Sequence, residues 1–548
     1  LVVDRSDGII KPRVYHALPC LVPNSPFGIF NNSIDVAALA ITERQLNLKV
    51  NGILTTPIQP VSGAFQIPLM VKFAKKLAYM ARRHSHVYSH REVVEMYDGR
   101  KRKVYEQAFL EFQHSGCLKK HSFQSTFIKF EKCNVDKAPR IICPRHPVYN
   151  LCLGRYLKKS EHIYCEVINK LFGAHTSATV VKGLNVIESA TVIRQKWERF
   201  ADPVGQGGDC TKYDMHHRED ALKFEHRVYN DTYKQRALKR LLSWQLEEHG
   251  TVHNKDGSIV IGKKMIRIIY VTGMSHYVKP ETDTKPYLLD DDVIYVGQPE
   301  IVFYPKRASG DLNTSQGNII VICAIIYSFI NFYGLDIELV DNGDDFFIIS
   351  ERSCANFIST NLPPWFRNFG FIVNMEQQVD TFESIEFCQT NPVLVNGEWR
   401  MCRHPKTVLM KDIMCTVPLN GKNVLRKWLD AVGQCGLAIA SGVPILQSFY
   451  AMYVRNGIPC GDKFKTFIFQ NTGTFDRMQG LTALKVNITE STRYSFYKAF
   501  GVLPDTQRDL EEYFDLVFIS DTVTEGREGL LIRDSGLSHN SIFYEIPW

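Results

Sequence analysis

The segment 339–350, LVDNGDDFFIIS, places three carboxylates, Asp341, Asp344 and Asp345, in a tight turn between two apolar runs. Residues 335–340 and 346–349 read as strands. Asn342-Gly343 between them is a strong hairpin signal, because a type I′ turn needs positive φ at both central positions. An antiparallel ribbon is therefore expected. The turn accounts for Asn342 and Gly343 but not for Asp344 and Asp345. Adjacent like charges disfavour each other's ionised form, and a divalent cation held by hard oxygen ligands would remove that cost. A solvated hairpin tip explains the acids equally well when the segment is read alone.

Two further acids lie upstream. Asp209 and Asp214, in GGDCTKYDMHH (207–217), are five residues apart where a Gly-rich loop runs through a short strand into the helical pattern REDALKFEHRVYNDTY. Acids from two chain segments can converge on one pair of cations. Two ions about 4 Å apart stabilise both the attacking and the leaving oxygen of an in-line phosphoryl displacement. Such ions take oxygen donors, which Asp supplies and Cys does not. A third segment, SGDLNTSQGN (309–318), reads as a flexible Ser309-Gly310 loop entering a helix on which Thr314 and Asn318 share a face. A hydroxyl and an amide there suit a sugar, although Ser and Asn at a helix start also serve as plain caps.

The 548-residue chain carries a formal charge of +7, mild overall but locally concentrated. Arg100 to Lys103 are consecutive cations, and IKFEKCNVDKAPRIICPRHP (128–147) sets Lys132, Lys137, Arg140 and Arg145 around a short proline-bounded strand. Charge runs are usually solvated faces, but cations alternating with β-formers and prolines are aimed from a fixed surface, which favours anion binding. The 14 Cys include no Cys-x-x-Cys pair, so neither a zinc ribbon nor a compact disulfide framework is indicated. The uncharged run 317–335 is nearly long enough to span a bilayer, yet its polar start and the acidic hairpin after it favour a buried core helix. Residues 71–83 read as a helix with a basic face, 250–300 as mixed strand and loop with an acidic spot at Asp290–Asp292, and 404 onward as mainly helical. The chain is α+β.

Together these segments resemble the RNA-directed RNA polymerases of positive-strand RNA viruses, and among them the tombusvirus-like group of carmovirus, luteovirus and umbravirus replicases. Asp209-x4-Asp214 resembles the family's motif A, SGDLNTSQGN its motif B, GDD its motif C, ESIEFCQTNPV (383–393) its motif E, and EKCNVDKAPRIICPR its basic motif F. YDGRKRKVYEQA, PVYNLCLGRYLKKSE and CGLAIASGVPILQSFY are further local likenesses, and the resemblance covers roughly residues 95–460.

The resemblance implies a right-hand polymerase. Fingers would comprise 1–200 with an insertion at 236–300, palm 201–235 and 301–402, and a mainly helical thumb 403–548. Asp209, Asp344 and Asp345 would hold two Mg2+ or Mn2+ ions. Asp214, Thr314 and Asn318 would read the ribose 2′-hydroxyl, Ser309 would contact the nucleotide or the template near the same sugar, and Lys132, Lys137, Arg140 and Arg145 would face the triphosphate. Expected partners are the viral RNA template and nascent RNA, NTPs, a viral membrane-targeting replication protein and host factors, at membrane-associated replication complexes in the host cytoplasm. The chain itself is expected to supply no membrane span. FGFIVNMEQQVD (369–380) lacks the Lys often found in motif D, so no general acid is assigned, and the stretch between Asp214 and Ser309 is long enough to indicate an insertion around 260–300.

Overall fold

An uncharged run such as 317–335 needs apolar partners on every side, and the fold supplies them as far as Phe329, leaving residues 331–334 exposed. In the computed structural model Thr314–Tyr333 forms a 20-residue helix in which every residue from Gln316 to Phe329 is buried. Its length and composition would suit a bilayer, but it packs against helices Pro68–Arg82, Glu161–Leu171 and Glu219–Tyr233. A helix apolar all round is at home only in such a setting. Each fully buried Ile or Phe side chain there contributes about 1.5–3 kcal/mol. The structure describes residues 2–18, 25–173, 178–247, 250–261, 267–271, 274–278, 306–419, 423–462, 464–465, 477–519 and 532–533.

Beside this core helix lies a four-stranded antiparallel sheet made of β1 (Pro203–Cys210), β2 (Ile337–Asn342), β3 (Asp345–Glu351) and β4 (Val373–Met375), in the order β2-β3-β1-β4. Both faces are covered. Leu339, Phe346 and Ile348 join the core around the long helix, while Val340, Phe347 and Ile349 pack with Trp197, Phe382 and Met401 on the other side. That division follows the two-residue period of a strand. β1 pays for its place between two bulky neighbours by carrying glycine, since a Cβ on Gly208 would overlap the Phe346 ring.

The hairpin differs from the expected turn. Asn342 pairs with Asp345, and Gly343 has φ 96° while Asn342 is not in the left-handed region. The two loop residues are thus Gly343 and Asp344, with positive φ at the first only, as in a type II′ turn. The turn moves one residue along, because Asn342 is needed as the last rung of the ladder.

Around this centre, Val2–Arg5, Gly257–Ile261, Gly250–Asn254 and Gln124–Ser125 build a second four-stranded sheet. Arg267–Val271 and Met274–Val278 form a further hairpin, whereas the acidic spot Asp290–Asp292 lies outside the described residues. Beyond residue 404, helices Val424–Ala440, Leu446–Asn456, Glu490–Phe500 and Pro504–Leu516 share one core with the hairpin Thr390–Val395/Glu398–Arg403. The start of the chain reaches this C-terminal unit: His16–Ala17 pairs with Met414–Cys415, and Leu18 is buried in the helical core. Gly208→Val is expected to cost about 1–3 kcal/mol by overpacking, read as a lowered thermal midpoint; an unchanged midpoint would show that the two strands can separate at no cost.

Candidate active site

Strand pairing alone brings the acids of two distant segments together. β1 and β3 place Asp209 directly opposite Asp345, and Asp344 precedes it in the turn. After Cys210 the chain bends through Lys212, whose φ is 46°, into the short helix Tyr213–His216. That bend returns Asp214 to the same site, where Ser309 hydrogen-bonds its carboxyl.

The electrostatics are those of crowded acids. Burial and then the neighbours Asp344 and Asp209 push the Asp345 carboxyl up to about 6. Burial followed by Asp344 does the same to Asp214, also to about 6, against the opposing charge of Arg307. Asp344 is raised by burial and by Asp209, with Arg140 opposing. Asp344 and Asp345 still reach solvent, so the acids face outward rather than into an interior. An all-oxygen donor set with unbalanced negative charge fits a hard divalent cation such as Mg2+ or Mn2+, and Asp209, Asp344 and Asp345 would hold it.

A tighter grouping of potential ligand atoms, within 4.8 Å of one another, exists at Glu111, His121 and His146. There both imidazole Nδ1 atoms already accept a backbone N–H, from Leu118 at 3.1 Å and Val148 at 3.3 Å. Nε2 therefore keeps its proton in both rings, which lie 3.2 Å (His121) and 4.0 Å (His146) from the Glu111 carboxylate; a ligating His would instead donate its other ring N–H outward.

The expected nucleotide-binding residues divide. Arg140 is exposed, and its charge is felt at Asp214, Asp344 and Asp345. Lys137 is exposed on the same loop. Lys132 and Arg145 are engaged elsewhere. Lys132 Nζ donates to the Lys411 carbonyl at 2.8 Å, and burial lowers its pKa despite nearby Asp412. Arg145 is buried in a two-pronged pair with Asp311, at 2.5 and 3.2 Å, and donates also to the Ser122 carbonyl. These two cations are spent on protein oxygens. Thr314 donates its hydroxyl to the Asp311 carbonyl at 2.9 Å, closing the loop before the core helix. Asn318 is buried, and its Oδ1 has no partner among the described residues.

Several residues that sequence alone did not single out also belong to the site, two of them, Glu376 and Cys388, inside the segments 369–380 and 383–393. Glu376 on the β4 side is raised by burial, Glu386, Asp209 and Asp345, and so belongs to the acidic group. Cys388 hydrogen-bonds Asp345 and accepts from Asn342 Nδ2 at 3.2 Å. It sits in the tight turn Phe387–Thr390 with φ 52°, followed by Gln389 at 60°. Two consecutive non-glycine residues in the left-handed region cost about 1–3 kcal/mol each, and here that strain holds a thiol against a candidate metal ligand. Arg477 donates to the Cys388 carbonyl, and its charge interacts with Asp345.

Asp341 is the acid with a structural task. It is fully buried, its Oδ2 accepts the Gly343 N–H at 3.2 Å, and burial pushes its carboxyl well above the usual range. Asp341→Asn keeps that acceptor and is expected to leave the thermal midpoint and metal binding close to wild type, whereas Asp341→Ala opens the turn. Loss of metal binding in Asp341→Asn, measured by titration calorimetry, would show that the carboxylate itself is required.

A family described as viral RNA dependent RNA polymerase matches residues 1–269 and 297–520. The match skips 270–296, inside the stretch around 260–300 read as an insertion, and ends before 521–548. The RNA-directed RNA polymerase of Tobacco necrosis virus (strain A) is 34% identical over 494 residues, 89% of this chain and 62% of that protein. Those of Melon necrotic spot virus and Turnip crinkle virus are 32% and 30% identical, covering 93% and 92% of this chain and 59% and 60% of theirs. The chain thus spans about three fifths of the length of these curated relatives. Since the match runs through β1, the loop at 309–318 and the acidic hairpin alike, the chain belongs to the viral RNA dependent RNA polymerase family.

Proposed function

We propose that this chain copies an RNA template into RNA by two-metal nucleotidyl transfer from NTPs. The observation that carries this reading is the register that sets Asp209 against Asp345, with Asp344 beside it. Asp209, Asp344 and Asp345 would hold the two ions, which when bound would neutralise phosphate charge and activate the 3′-hydroxyl of the growing strand. Arg140 and Lys137 lie on the loop suited to orient the triphosphate, and Arg140 already interacts with the acids. Asp214, held by Ser309, accepts a hydrogen bond from the ribose 2′-hydroxyl, and Asn318, whose buried Oδ1 has no partner among the described residues, would supply a second acceptor on turning toward the sugar. Thr314 supports this set through the loop rather than by its own hydroxyl. Catalysis is then positioning and charge neutralisation.

In right-hand terms the β1–β4 sheet is the palm within 201–235 and 301–402, residues 1–200 and 236–300 are the fingers, and 403–548 the thumb. The strand pair His16–Ala17/Met414–Cys415 would tie fingers to thumb. Template and nascent RNA are gripped mainly through phosphates, so binding weakens with salt. A membrane-targeting viral protein and host factors would place the enzyme at replication complexes on cytoplasmic membranes of the host. A reverse transcriptase shares palm carboxylates, but it needs a block against the 2′-hydroxyl where this chain offers acceptors.

Asp344→Ala is expected to lower RNA synthesis on a primed RNA template by roughly 10³-fold or more, with RNA affinity nearly unchanged in a filter-binding assay. Wild-type-like synthesis would refute the metal assignment, and preferential use of dNTPs would favour the reverse transcriptase. The raised acids give a second test. Asp345 and Asp214 bind more protons folded than unfolded between pH 3.8 and about 6. Metal-free stability from these groups therefore falls as pH rises through that window. Because cations bind the carboxylate form, Mn2+ should raise the thermal midpoint more at about pH 7.5 than at about pH 5. The shift should vanish in Asp209→Asn/Asp344→Asn; a shift that survives there places the metal elsewhere.

A further inference from the structure

Behind the acids lies a buried polar cluster that the catalytic reading does not use. Arg307 enters the 309–318 loop from its N-terminal side, and Glu225 lies on the helix Glu219–Tyr233. The two side chains are fully buried and paired through Arg307 Nη2 and Glu225 Oε2. Glu225 Oε1 accepts from Asn313 Nδ2, and Asn313 Oδ1 accepts from Gln245 Nε2 at 2.9 Å. Asn313 is the residue from which the core helix starts, and its carbonyl accepts the Gly317 N–H. His217 approaches both partners, at 3.1 Å from Arg307 and 3.3 Å from Glu225, and its Nδ1 meets the Tyr213 hydroxyl at 3.2 Å. The Arg307 N–H closes the circuit on the His217 carbonyl at 2.8 Å.

The cluster's charges are settled. Burial favours a neutral Glu225, but Arg307 and then His217 outweigh it and hold the carboxyl at about 2. Burial and Arg307 keep His217 at about 4, so it is a neutral partner to an ion pair. A buried pair of this kind seldom adds stability over apolar side chains of the same volume, so its retention asks for another role. Space has been kept for it, because a Cβ on Gly317 would overlap both Arg307 and Glu225.

The residues it grips identify the role. Tyr213 and His217 flank Asp214 on one side, and Arg307 and Asn313 bracket Ser309 on the other. Arg307 also acts on Asp214 directly through its charge. We propose that the Glu225–Arg307 pair, with Asn313, is a positioning device for ribose selection, fixing Asp214 and the 309–318 loop at the distance needed to hold a 2′-hydroxyl. This rests on the polymerase reading of the same site. Neither residue touches the nucleotide. Their effect is on NTP and not on dNTP, because only the NTP uses the groups they fix.

The test compares incorporation of an NTP with that of its 2′-deoxy analogue on a primed RNA template by the full chain. The variant is Glu225→Gln/Arg307→Met, which removes both charges together and leaves neither stranded. The expected result is a fall of about tenfold or more in the NTP/dNTP ratio of kcat/KM. It should arise from a raised KM for the NTP, with dNTP efficiency unchanged. A folded, active double variant with the wild-type ratio overturns the proposal. Should the double variant fail to fold, Asn313→Ala retains the ion pair but cuts its tie to the core helix. The same fall is expected there, and an unchanged ratio is equally fatal. A wild-type chain that incorporates neither nucleotide would sink the polymerase reading instead, so the two failures are distinct.

Discussion

The structure turns on a repulsion. Asp209 and Asp345 are held opposite each other by strand pairing, with Asp344 alongside, so the sheet keeps carboxylates closer than they would stand in a free chain. Burial, with the neighbouring acids adding to it, raises the proton affinities of Asp344 and Asp345. Much of the surrounding architecture is what allows that arrangement to persist. Gly208 lets β1 lie against Phe346, Asp341 pins the turn through the Gly343 N–H, and the strained Cys388-Gln389 turn brings a hydrogen-bond partner to Asp345. Arg140 and Arg477 supply opposing charge.

The site is therefore two-layered. Its front is a solvent-facing acidic surface, where the proposed ions and triphosphate would bind. Its back is a buried network in which Glu225 joins Arg307 Nη2 to Asn313, and Asn313 accepts from Gln245. In a low-dielectric interior such charge-assisted bonds are strong, and so they hold geometry. The core helix joins the layers, starting from the 309–318 loop and burying its residues from Gln316 to Phe329 before its last turn emerges at the surface. An apolar helix of that length looks like a membrane span in isolation, and it is the helices packed around it that make it a core element.

The sequence reveals the site where local chemistry is decisive. The acids, the loop at 309–318 and the strands around the hairpin all follow from residue type and spacing. Other features depend on tertiary packing and were hidden. The turn type hinged on whether Asn342 belongs to the ladder, which β3 decides. Lys132 and Arg145 share the composition of Arg140, and only the positions of Lys411 and Asp311 show that their charges are already used. Glu376 and Arg477 are ordinary charged residues until the fold sets them near Asp345. Glu225 reads as one more polar position on an amphipathic helix, yet it is fully buried.

The central claim is that these aspartates form a cation centre. Anomalous diffraction from crystals soaked in Mn2+ with an RNA primer–template and a non-hydrolysable NTP tests it directly. The account predicts two peaks about 4 Å apart, within ligand distance of Asp209, Asp344 and Asp345. Peaks only at Glu111, His121 and His146, or no Mn2+ beside β1 and β3, would contradict it.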